Sequence, residues 1–203
     1  MLPKLPFLND VSMSAIVAYI HYLGIILCFG ALMFERLILK QNLSKNETIS
    51  IIIADVIYGI AGLAILITGI LRVKYYGQGG EFYTGNPIFW IKVSLYILVG
   101  LISLYPTITY ILWAIPLSRN KLPVISENLV KRFKLLITTE LIGFVVIPFF
   151  ATLMARGIGL FQTWWFAYYF WNWFIERIKN LIIVSLNSIK SVENIINNSH
   201  AYN

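Results

Sequence analysis

Charge is what this sequence has least of. Only 12 % of its 203 residues are Asp, Glu, Lys or Arg, against 59 % hydrophobic, and the mean hydropathy is +0.76. A water-soluble domain carries about twice that share of charge. So few polar groups cannot cover a water-facing surface, which excludes an ordinary soluble fold and leaves an integral membrane protein. Cysteine is nearly absent. Cys28 stands alone, so there is no disulfide framework and no thiolate metal site. Histidine is scarce too: His21 lies in an apolar run and His200 in the C-terminal tail, which argues against a bis-histidine site within one chain. Acids number 9 against 16 Lys and Arg, giving a net charge of +7. No RNA- or DNA-binding pattern accompanies that excess, so nucleic acid is not an expected partner. Basic cytoplasmic loops account for it. Repeats, low-complexity tracts, nucleophile–base pairings, zinc spacings and phosphate loops are missing as well.

What the sequence does have is long apolar runs. Four segments, near 11–34, 50–72, 87–114 and 132–155, reach the roughly 20 residues that a helix needs to cross a bilayer. The first is too long for a signal-peptide core and reads as a retained span. Ser44-Lys45-Asn46-Glu47 has capping-box spacing ahead of the second, and Asn86-Pro87 sets an N-cap and a first-turn proline ahead of the third. Pro106 and Pro148 fall inside spans, where they imply kinks rather than breaks. Arg36, Lys40, Lys45, Arg119, Lys121, Lys131, Arg132 and Lys134 flank the loops at one end of the spans, against Lys4, Arg72, Lys74 and Arg156 at the other. The positive-inside rule then puts loops 35–49 and 115–131 in the cytoplasm and the N-terminus outside, in a bacterial inner membrane.

The chain after Gly159 differs. Ten of the fourteen residues in 161–174 are aromatic, a composition suited to the membrane–water interface. Ile175, Ile178, Ile182, Leu186, Ile189 and Val192 follow at helical spacing, the pattern of an amphipathic helix lying on a surface. A fifth span over about 160–186 is the alternative, opposed by the Glu176–Asn180 polar cluster. The expected fold is therefore all-α: a four-helix transmembrane bundle over 1–159, then an aromatic and amphipathic segment with a polar tail over 160–203.

Each span carries a stripe of small and polar residues at three- and four-residue steps. These are His21, Gly24, Cys28, Ala31 and Glu35 in the first; Asp55, Tyr58, Gly62, Ile65, Gly69 and Arg72 in the second; Lys92, Tyr96, Ser103, Pro106 and Tyr110 in the third; and Glu140, Gly143, Ala151 and Met154 in the fourth. Small residues let helices approach and polar ones avoid lipid, so the stripes should face inward. His21 should lie roughly 15 Å and Lys92 roughly 8 Å below the outer ends of their spans, and Glu140 roughly 12 Å from an inner end. Helix tilt would then let His21 and Glu140 meet. Glu35 and Asp55 suit interface and helix-dipole roles.

His21 can be an axial ligand to haem, with Lys92, Arg72 or Arg156 as partners for the propionates on the same side. Equally, it can be a neutral ring bonded to Tyr, Ser or Glu140. Lys92 can snorkel to the headgroups. Glu140, far from either interface, needs a partner. The linker "YYGQGGEFYTGNP" is not a dinucleotide fingerprint, and suits an ordered cap over the outer end.

The stretches "YIHYLGIIL", "DVIYGIAGLAILITGILRVKYYGQGGEFYTGNPIFWIK" and "LISLYPTITYI" resemble a family of small bacterial predicted membrane proteins of unknown function, over roughly residues 11–156. More distantly, His21 in "IHYLGII" and Lys92 in "WIKVSL" are similar to the early histidine and later lysine motifs of HemJ-type protoporphyrinogen oxidases. Trp90 stands where those proteins have a histidine before the lysine motif. The resemblance implies a haem-associated membrane oxidoreductase of porphyrin metabolism. It would make His21 the iron ligand and Lys92 a functional cation; the reading of the residues themselves adds Arg72 and Arg156 as cofactor contacts and Glu140 beside Lys92 as a candidate catalytic group. A second axial ligand would come from another residue type or from another subunit of a homo-oligomer. The competing reading is a non-enzymatic scaffold or small transporter with an intramembrane His/Glu/Lys relay.

Overall fold

A computed structural model of the chain describes residues 10–118, 122–123 and 125–158, with positions 169, 172, 175–177, 179 and 183 further on. Its ordered elements are helices: α1 (Asp10–Ile38), α2 (Lys45–Leu71), a π-helical turn (Arg72–Tyr76), α3 (Gly80–Thr84), α4 (Pro87–Ser118) and α5 (Glu127–Ala155). No strand occurs among the described residues. Four of these helices are long and apolar enough to cross a membrane.

The helix starts follow local chemistry. The Ser44 side chain accepts from the Glu47 amide while Glu47 reaches back to the Ser44 amide, closing the capping box. Asn86 Oδ1 accepts from the Ile88 amide at 2.9 Å, and Pro87 takes the first position of α4, where no N–H is needed. Ser126 caps α5 through the Leu129 amide. At its other end α5 closes in a Schellman turn. Gly157, at φ 76°, sends its amide to Met154 O, and Ile158 sends its own to Leu153 O. The helices outrun the apolar segments: α2 and α5 begin about five residues earlier than hydropathy places them, and α4 passes through both Pro106 and Pro116. Capping residues are polar, so a hydropathy window stops short of the turn they initiate.

Successive long helices run antiparallel. α1 packs on α2, α2 on α4, α4 on α5 and α5 on α1, so the four close a ring. The 77–86 connection lies at the upper end, and the 39–44 connection lies at the lower, with the end of α4 and the start of α5. All four stripes face inward: Cys28, Ala31, Glu35, Asp55, Tyr58, Ile65, Ser103, Tyr110, Glu140 and Met154 are buried. Bulky residues such as Ile26, Ile60, Leu63, Ile111, Ile142 and Val145 are exposed, as a lipid-facing surface requires.

Two contacts set how close the helices come. A Cβ on Gly24 would lie 2.8 Å from Ile65 Cγ1 and 3.2 Å from the Ala61 carbonyl oxygen, so α1 and α2 touch almost backbone to backbone. A Cβ on Gly143 would collide with Val99, which fixes α5 against α4. At the upper end Tyr83, Ile88 and Met154 form a second cluster with Phe89 and Phe150 beside them. Asn86 Nδ2 ties this end to the Ile158 carbonyl at 3.3 Å. The glycine-rich linker is thus an ordered cap.

Residues 161–203 form a separate compact unit. Its described positions are helical, with an exposed Lys179–Glu176 pair at 2.8 Å. The expected aromatic interfacial helix, and the fifth-span alternative, rest mostly on residues outside the described ones.

Gly24→Val should destabilise the bundle by about 1–3 kcal/mol through overpacking. Gly59→Ala, which meets nothing within 4 Å, should stay within about 0.5 kcal/mol of the parent. Thermal unfolding in detergent measures both, and equal stability of the two variants would contradict the close α1–α2 approach.

Candidate functional site

Two polar centres occupy the interior at different heights. The upper one is built on the α1–α2 seam. His21 Nδ1 lies 2.9 Å from Thr68 Oγ1, and the Thr68 hydroxyl in turn donates to the Ala64 carbonyl at 2.5 Å. A hydroxyl has one proton, and here the backbone takes it. Thr68 therefore accepts from His21, Nδ1 carries the hydrogen, and Nε2 keeps the lone pair. Gly69 leaves α2 bare where the ring lies across it: a Cβ there would come 3.5 Å from Cε1.

Arg72 and Lys92 both stand within electrostatic reach of His21. Arg72 opens the π-helical turn, with its guanidinium 5.4 Å from the centre of the Tyr22 ring. Lys92 turns its ammonium toward the upper end, 5.6 Å from the Phe89 ring. Each contact is a cation–π interaction. Neither cation pairs with a carboxylate among the described residues. Positive charge in a half-buried membrane site is costly without an anion beside it.

Below this centre lie Cys28, whose thiol donates to the Tyr58 carbonyl at 3.6 Å, and Tyr96, whose hydroxyl donates to the Gly62 carbonyl at 2.7 Å. Next comes a layer of carboxyl groups. Glu35 on α1, Asp55 on α2 and Glu140 on α5 are close enough to feel one another's charge. Glu35 and Glu140 are 1 % exposed and Asp55 8 %. α4 contributes Thr107, which donates to Asp55 Oδ1 at 2.8 Å, and the fully buried Tyr110. The Tyr110 hydroxyl is turned toward Glu35. Even so, Glu35 Oε1, Glu140 Oε1 and the Tyr110 hydroxyl find no hydrogen-bond partner among the described residues. Buried polar groups are normally satisfied, so three orphans in one layer call for a physical reason. At the edge of the layer Arg36 Nε donates to Thr138 Oγ1 at 2.8 Å, joining α1 to α5.

Of the residues singled out in the sequence, His21, Arg72 and Lys92 come together. Glu140 and Arg156 do not join them. Arg156 caps α5 at the upper end with its side chain exposed, and the cations that reach His21 are Arg72 and Lys92. Glu140 shares its layer with Asp55, and His21 lies opposite Thr68, thirteen residues further up α2. That separates them by roughly 20 Å along the bundle axis. Tilt does not close such a gap, so a direct His21–Glu140 contact is ruled out. Glu35 and Asp55 are not interface groups either, for both point into the interior. The signal was present in the helical register: Glu35 falls on the same stripe as Cys28 and Ala31, and that stripe is buried. Tyr110 gave no sign beyond its place on the α4 stripe.

Four apolar spans closed around a polar interior define a multipass helical membrane protein. Residues 13–159 match the model of the predicted membrane protein family DUF2214, and the chain belongs to that family. No curated protein and no solved structure matches the chain.

Thr107→Val removes the hydroxyl that satisfies Asp55 across helices. It should cost about 0.6 kcal/mol and no more than about 1.7. Thr139→Val, whose hydroxyl bonds only within α5 and faces outward, should be close to neutral. Chemical or thermal unfolding of the two variants compares them, and equal losses would deny Thr107 an interhelical role.

Proposed function

We propose that the upper centre is a ligand site and that the chain is a haem-binding membrane protein, an oxidoreductase of porphyrin metabolism of the HemJ type. One observation carries this reading: an imidazole anchored through Nδ1 to Thr68 stands beside two cations that lack a carboxylate partner. The donor set suits haem. A histidine that ligates iron through one nitrogen is commonly held by a hydrogen bond on the other, and here Thr68 supplies that bond. Arg72 and Lys92 would neutralise the propionates, with Tyr22 steadying the guanidinium. When bound, haem supplies one-electron chemistry that no side chain at this centre offers. The protein's own part is to fix the ring, bind the carboxylates and exclude water with the cap over 77–86. With a single such histidine, any further protein ligand would come from another residue type or from a second copy of the chain. The lysine- and arginine-rich loops favour a bacterial inner membrane with the upper end outside.

A second reading, a small proton-linked transporter, is favoured by the carboxyl layer with its unsatisfied oxygens. The upper and lower centres would then be the two ends of a relay.

Protein purified from haem-replete cells should show a Soret band. His21→Ala should abolish it, and Arg72→Gln should weaken haem retention by about tenfold, the loss of one charge-assisted contact. Colourless wild-type protein would sink the haem reading. Proton flux in vesicles that vanishes in Glu140→Gln would replace it with transport.

A further inference from the structure

The carboxyl layer has a role that the haem reading leaves unused. Three acids from three helices converge in the lower half of the interior, roughly 15 Å above the start of α2 measured at Asp55. Beside these acids, the charged and titratable groups of the layer among the described residues are Cys28 and Arg36 on α1, Tyr58 on α2 and Tyr110 on α4. Arg36 is the cation of that set, and its Nε is engaged by Thr138. No salt bridge reaches Glu35, Asp55 or Glu140 among the described residues. Ionised carboxylates facing one another in a dry interior repel strongly, so the layer must hold protons or a positive ion.

The unsatisfied atoms indicate which positive ion would fit. Glu35 Oε1, Glu140 Oε1 and the Tyr110 oxygen are buried and unpartnered, and Thr107 and Asp55 add oxygen at the same height. All are hard oxygen donors, the class that binds alkali and alkaline-earth cations rather than soft metals. No group of three His, Cys, Asp or Glu side chains among the described residues is arranged to hold a metal ion. The three carboxyl groups therefore do not by themselves close on a metal ion of any charge, and a site here needs the hydroxyl oxygens of Tyr110 and Thr107 to complete it. A monovalent ion needs less formal charge and accepts hydroxyl oxygens.

We propose that Glu35, Glu140 and Tyr110, with Asp55 and Thr107 alongside, form a binding site for a monovalent cation of sodium size, which exchanges with protons. The ion enters when the layer is deprotonated and leaves when it is protonated. The site is independent of the haem reading, since it lies roughly 20 Å from His21.

Thermal unfolding of the full chain in detergent tests it, in sodium, potassium or choline chloride at equal ionic strength, at pH 6 and pH 9. Sodium at about ten times its dissociation constant should raise Tm by roughly 2–5 °C over choline at pH 9, and by much less at pH 6. Potassium should act more weakly. Glu140→Gln and Glu35→Gln should each abolish the sodium effect, and Tyr110→Phe should weaken it several-fold. Equilibrium binding of radioactive sodium to the wild-type protein covers the case in which a variant does not fold. It should saturate near one ion per chain and fall as protons are added. An identical Tm in all three salts at pH 9, a sodium effect that survives in Glu35→Gln/Glu140→Gln, or no saturable sodium binding would each overturn the proposal. A Soret band, present or absent, bears on His21 and leaves this result unchanged.

Discussion

The close approach of α1 to α2 is the constraint on which the rest of the interior depends. In a bilayer, burying apolar side chains against one another gains little, because lipid tails are as apolar as leucine. Helices associate instead through tight packing and interhelical hydrogen bonds. Gly24 allows that packing, with the Ala61 carbonyl and Ile65 lying where a side chain would otherwise be. The same seam brings His21 to Thr68 above it and Cys28 to the Tyr58 carbonyl below it. A wider seam would leave the histidine without its Thr68 partner and the Cys28 thiol without its carbonyl.

The interior built on that seam is electrically divided. Among the described residues its upper part holds Arg72, Lys92 and His21 with no acid paired with them, and its lower part holds Glu35, Asp55 and Glu140 with no cation paired with them. A single salt-bridged network would have neutralised both groups at once. Keeping the charges apart leaves each centre able to take a counter-charge from outside the chain, an anion above and protons or a cation below. Between them the hydrogen bonds of Cys28 and Tyr96 go to backbone carbonyls.

Much of this was legible in the sequence. The capping box of α2, the Asn86 cap with Pro87 in the first turn of α4, and the four inward stripes depend on local chemistry and helical periodicity, and the bundle follows them. Helix ends were less legible, because capping turns are polar and α4 continues past two prolines. At the sites, His21, Lys92 and Arg72 were identifiable as ionisable groups on inward stripes at similar depth. Glu35 and Asp55 were misread because proximity to a helix end was weighed above register, although register decides which way a side chain points. Tyr110 carried no mark of its own, since a tyrosine on a buried stripe is ordinarily packing.

The sequence by itself determined that this chain is a multipass helical membrane protein, since too little charge and long apolar runs leave no other way to satisfy the backbone, and four spanning helices stand among the described residues. It also determined which face of each helix turns inward, because small and polar residues recur at helical spacing. Which polar groups share a height was decided only by the tertiary structure. Height depends on how far each helix slides along its neighbour, and that is set by contacts such as Gly24 on Ala61 and Gly143 on Val99, which lie far apart in the chain. Those contacts put Glu140 with Glu35 and Asp55 and keep it from His21.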